Sequence, residues 1–134
     1  MQPCPGTFFQ SHFPYTIFYM KNDCPCGSAM PKFILTMEGC LRIGMVHLHS
    51  ELVMPGDEPI GGGFFDVDYI SNRLILYRQS HDYGVPRWHL VETLRVPKDY
   101  RGYTIKYIYD DGWHEDYNVS DSLPIEYYDD KDNN

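Results

Sequence analysis

The stretch Gly61-Gly62-Gly63-Phe64-Phe65-Asp66-Val67-Asp68-Tyr69-Ile70-Ser71-Asn72-Arg73-Leu74-Ile75-Leu76-Tyr77-Arg78-Gln79-Ser80-His81-Asp82-Tyr83-Gly84 decides the fold. Phe65, Val67 and Tyr69 alternate with Asp66 and Asp68, which is the period of a half-buried strand over Phe64–Ile70. Ser71-Asn72 supplies turn formers, and Leu74–Gln79 returns as the partner strand. Three consecutive glycines carry a large entropic cost on folding, so they mark a sharp bend or a close approach. They are expected to bend the chain into the hairpin. The Ser80 turn that follows can gather backbone N–H groups around an anion.

Outward from the hairpin, further strands are expected at Tyr15–Met20, Lys32–Met37, Leu41–His49 and Tyr103–Tyr109. One helix is expected over Pro86–Leu94, with proline at its start and Leu90, Val91 and Leu94 on one face. Residues 1–12 read as irregular, and the loop at Lys21–Pro31 is rich in turn formers. The sum is an α+β domain: a mixed sheet of about six strands flanked by one or two short helices.

The 134 residues fit a single domain. The net charge of −8 is lopsided: nine acids stand against Lys131 from Asp110 onward, which leaves ten acids and ten bases before it. We therefore divide the chain into a body at 1–113 and an acidic extension at 114–134, with Asp129–Asn134 expected to be disordered. Between Arg73 and Lys106 seven bases face three acids. That balance suits a small anion and is too sparse for a nucleic-acid surface. No apolar run is long enough to span a membrane, and Met1–Gly6 has no signal-peptide pattern, so a cytoplasmic location and reduced Cys4, Cys24, Cys26 and Cys40 are expected.

Several of these pieces, in this order, resemble the janus/ocnus family of phosphohistidine phosphatases. They are Gly61-Gly62-Gly63, the hairpin, Ser80-x-x-Tyr83-Gly84, a short helix, and Tyr109-Asp110-Asp111-Gly112-Trp113. The resemblance covers about residues 32–113. It implies a small mixed sheet and metal-independent hydrolysis of a phosphoramidate by a histidine general base, with no cofactor. His49, in His49-Ser50-Glu51-Leu52, matches the family's base. Ser80 matches its phosphate-binding serine, Ser50, His81 and Asp82 its backbone donors, and Lys32 its lysine. The sequence departs from the family in three places. Phe64 stands where the family has arginine, Pro55, Gly56 and Pro59 break up the family's helix, and Asp82 replaces a small residue.

The residues allow this chemistry on their own terms. An imidazole titrates near neutrality and can activate water. Backbone N–H groups and a hydroxyl can cradle phosphoryl oxygens. Arg78 and Arg87 flank the site and can supply the missing cation. His47 and His49, two apart on one strand, would share a face, and Cys24-Pro25-Cys26 is half a zinc signature. Neither pattern completes a metal site. The substrate would be a phosphorylated protein or a small phosphoramidate. The alternative is a janus-like module that binds an anionic ligand or a protein without turnover, its acidic tail meeting a basic partner.

Overall fold

The computed structural model describes residues 30–78, 83–108 and 117–128. The expected strand at Tyr15–Met20, the Ser80–Asp82 turn, Cys4, Cys24, Cys26, Tyr109–Trp113 and Asp129–Asn134 lie outside the described residues.

The described chain is α+β, built on a mixed six-stranded sheet with a few short helices. The strands are β1 (Met30–Thr36), β2 (Leu41–Val46), β3 (Pro59–Asp68), β4 (Arg73–Arg78), β5 (Leu94–Pro97), β6 (Thr104–Ile108), β7 (Tyr117–Asn118) and β8 (Ile125–Tyr128). The large sheet runs β2-β1-β3-β4-β6-β7, while β5 and β8 form a separate parallel pair. Within the large sheet β4 and β6 are parallel and the other pairs antiparallel.

The hairpin forms at the expected place. Asp68 pairs with Arg73, and the Asp68 carboxylate accepts from the N–H groups of Ile70 (3.1 Å) and Ser71 (3.0 Å). These bonds hold the carboxyl below the usual aspartate range. Alternation sorts the residues onto two faces. Phe33, Leu35, Leu41, Ile43, Phe65, Val67, Leu74, Leu76, Ile105 and Tyr107 point to one face, the main core, which Trp88, Val91, Leu94, Val96, Tyr100 and Val119 complete. On the other face Ile34, Val46 and Leu52 form a small cluster with Val53 and Tyr83 against it.

Three expectations are corrected. The triple glycine does not precede a strand; it lies inside β3, which begins at Pro59. Its function is close approach. A Cβ on Gly63 would sit 1.9 Å from the Tyr77 carbonyl oxygen, and one on Gly61 would sit 2.2 Å from Pro86 Cα. The Pro86–Leu94 helix is only a 3-10 turn at Trp88–Leu90. Val91 and Leu94 are buried but Leu90 is exposed, and Leu94 opens β5 and pairs with Ile125, so strand pairing overrides the helical spacing. Finally, β2 stops at Val46, and His49 opens a 3-10 turn, His49–Leu52, instead of ending a strand.

Part of the acidic C-terminal stretch is built into the fold. Tyr117 and Asn118 pair with β6, Val119 of the four-residue helix α1 (Val119–Ser122) is buried, and Tyr128 donates its hydroxyl to the Leu41 carbonyl (2.8 Å). Cys40, expected to be reduced, is disulfide-bonded; the other cysteines of the chain, Cys4, Cys24 and Cys26, all lie outside the described residues.

Candidate functional site

The site grows from the face of the sheet opposite the main core. On β1, Phe33 and Leu35 face the main core, so Lys32 and Ile34 face away from it. On β3, Phe65 and Val67 take the core side, which turns Phe64 to the same face as Lys32, its register partner. The chain leaves β2 at Val46, passes the exposed His47 and Leu48, and folds back through the 3-10 turn. Glu51 fixes that turn by accepting from the Leu48 N–H (2.6 Å). His49 is thereby tucked over β3 and only 7% exposed.

His49 Nε2 lies 2.8 Å from the Gly63 carbonyl oxygen. A carbonyl only accepts, so Nε2 donates and carries the proton of the neutral ring. Nδ1 is then the ring's basic nitrogen. A Cβ on Gly62 would meet His49 Cδ2 at an ordinary contact distance of 3.4 Å; its tighter neighbour would be the Phe33 carbonyl oxygen at 3.0 Å. Two aromatic rings stand nearly edge-on to the imidazole, Phe64 at 5.6 Å between centroids and Tyr83 at 6.3 Å.

Lys32 is 6% exposed. Its ammonium donates to the Val46 carbonyl (2.9 Å) and lies 5.4 Å from the centroid of the Phe64 ring. Among the described residues no carboxylate stands within ion-pair distance of it. Burial lowers its affinity for a proton below that of an ordinary lysine, and the charge of Glu51 opposes this only in part. The result is a buried cation with a neutral hydrogen-bond partner and a π face.

The structure thus sets Lys32 and His49 against one phenyl ring, Phe64, and places Tyr83 against His49; neither Phe64 nor Tyr83 is among the candidate site residues of the sequence. Phe64 was legible in one respect: with Phe65 inward, its neighbour has to face the other side. Ser50, the residue after His49, is exposed. Gln79, Ser80, His81 and Asp82 lie outside the described residues; the described residues on either side of them, Arg78 and Tyr83, are beside the site. Arg78 pairs through its backbone with Gly63, and the Tyr83 ring meets His49 edge-on. Beyond Tyr83 the chain is laced to β3, with Gly62 N–H donating to Gly84 O (3.2 Å) and Arg87 N–H to Ile60 O (3.1 Å). The Arg87 side chain is exposed, and that of Arg78 lies outside what is described. His47 is exposed and does not join His49 on one face; among the described residues no three His, Cys, Asp or Glu side chains gather as a metal site.

A second buried cation occupies the same face one strand away. Arg42 on β2 is 1% exposed and donates through Nη2 to Asp57 Oδ1 (3.0 Å). Asp57 also accepts from the Met54 N–H (2.6 Å), so this ion pair staples the loop before β3.

No protein-family model, curated protein or solved structure matches this chain. No helix of the described residues is long and apolar enough to cross a membrane.

Proposed function

We propose that this chain binds a phosphoryl group at Lys32 and His49 and hydrolyses a phosphoramidate of the phosphohistidine class. The observation that supports the reading best is the Lys32 ammonium, buried without a carboxylate within ion-pair distance among the described residues, with an imidazole of defined tautomer against the same Phe64 ring. A buried charge is costly unless paired, so a phosphoryl anion is the natural completion of the site.

In this reading His49 Nδ1 takes a proton from water as the water oxygen attacks phosphorus. The P–N bond breaks, its electron pair stays with the leaving imidazole nitrogen, and that nitrogen takes up a proton. The products are inorganic phosphate and histidine. The Gly63 carbonyl holds Nε2–H and favours the imidazolium that forms. Ser80 with the backbone N–H groups of Ser50, His81 and Asp82 supplies oxygen ligands, a role supported by Arg78 and Tyr83 bordering that stretch at the site. This agrees with the resemblance to the janus/ocnus family. The chemistry calls on no metal.

The test is release of phosphate from a phosphohistidine peptide, with and without a chelator. Release unaffected by the chelator is expected, and His49→Ala should lower the rate about 10²–10⁴-fold. A drop of less than tenfold would remove His49 as the base, and no release by the wild type would remove the activity.

A second reading has its own support: a module that binds a phosphorylated ligand or protein without turning it over. Phe64 occupies the place where the resemblance puts an arginine, and Lys32 already has the Val46 carbonyl and the Phe64 ring as partners. Phosphate affinity without hydrolysis would select it. A basic partner for the acidic stretch would then meet the exposed Asp121 and Glu126. A cytoplasmic location, expected from the sequence, fits poorly with the Cys40 disulfide, since such bonds persist mainly in oxidising compartments.

A further inference from the structure

We infer that Phe64 is a positioning residue: its ring holds the Lys32 ammonium on one side and bounds the His49 imidazole on another, so that cation and base are presented as one unit. The inference rests on the anion-site reading above and concerns how that site is held.

The geometry is specific. Phe64 pairs with Lys32 across β1 and β3, and the ammonium lies over the ring at 5.4 Å from its centroid. The His49 ring meets the same phenyl group at 79° between planes. The Nε2 bond to Gly63 fixes one end of the imidazole, and Phe64, the next residue in β3, bounds the ring itself. A residue without a π face would keep the packing and lose the attraction for the cation. The groups that bear on Lys32 are the Val46 carbonyl, the charge of Glu51 from the 3-10 turn and the Phe64 ring, which also meets the His49 imidazole. Of these, Phe64 alone acts on the ammonium through a ring face.

The experiment compares wild type, Phe64→Met, Phe64→Leu and Phe64→Tyr, with folding checked by circular dichroism. The Lys32 side-chain amine is titrated by NMR on the free protein, with no substrate or phosphate present. Losing the π face disfavours the ammonium, so the Lys32 acid dissociation constant should rise about 2- to 30-fold in Phe64→Met or Phe64→Leu. Phe64→Tyr keeps the face and should titrate like the wild type. Whichever apolar variant folds gives the answer. An unchanged Lys32 midpoint in it, or an equal shift in Phe64→Tyr, would overturn the inference. A second readout is the pH profile of inorganic phosphate affinity. Its alkaline limb, where Lys32 loses its proton, should move to lower pH in the apolar variants and stay in place in Phe64→Tyr. If the wild type binds no phosphate, the anion-site reading fails, and the free-protein titration still decides the role of Phe64 separately.

Discussion

Arg42 and Lys32 are buried cations on the same face of the same sheet, on neighbouring strands, yet they are satisfied in opposite ways. Arg42 has a carboxylate, Asp57, in a bidentate-capable group that also ties down a loop. Lys32 has a peptide carbonyl and a phenyl ring. A closed ion pair does structural work, and breaking one leaves an uncompensated charge in the interior. A cation left with neutral partners costs stability in the free protein and gains its counter-charge when a ligand arrives. The difference separates a part of this face that holds the chain together from the part at which an anion is proposed to bind.

The sharpest way to break that comparison is to remove each cation's partner. Asp57→Ala should cost about 3–5 kcal/mol in denaturant unfolding, because it takes a carboxylate away from the buried Arg42 and frees the Met54 N–H. Gly63→Ala comes next, at about 1–3 kcal/mol, since its Cβ cannot coexist with the Tyr77 carbonyl unless β3 and β4 shift. Lys32→Met should change stability at neutral pH by less than about 1.5 kcal/mol while phosphate affinity falls about tenfold or more. A loss as large as that of Asp57→Ala would make Lys32 a structural cation like Arg42.

The smallest effect is a pH slope. Lys32 binds its proton less tightly in the folded chain than in the unfolded one. Between its lowered folded value and the ordinary lysine value near 10.5, the unfolded chain therefore holds more protons, and stability rises with pH across that window. Lys32→Met should flatten this rise in an unfolding series over the alkaline range. The same slope in wild type and variant would show that Lys32 keeps its charge in the fold at no cost.

Much of this was legible from alternation. The β3–β4 hairpin and β6 read from period-two patterns and β1 from a short apolar run, whereas Lys32 and His49 enter as site residues through the janus/ocnus resemblance and not through alternation. What escaped the sequence was decided by tertiary pairing. The glycines of β3 have no side chain to signal a strand, and their reason is the approach of Tyr77, Pro86 and Phe33. Leu90, Val91 and Leu94 mimic a helix face, but Leu94 is claimed by β8. His49 is carried off the strand line by a turn whose cap, Glu51, reads in sequence only as part of a four-residue motif. Cys40 shows no sign of its disulfide until the fold is seen, because spacing alone does not pair four cysteines.

The central claim is that a phosphoryl anion completes the charge of Lys32 beside His49. Titrating inorganic phosphate into the wild-type protein at neutral pH, while following the Lys32 amine and His49 imidazole signals by NMR, tests it most directly. The account predicts saturable shifts of both groups with one common affinity, and about tenfold or more weaker binding when the His49 signals are followed in Lys32→Met. Absence of saturation, or equal affinity in Lys32→Met, would contradict it.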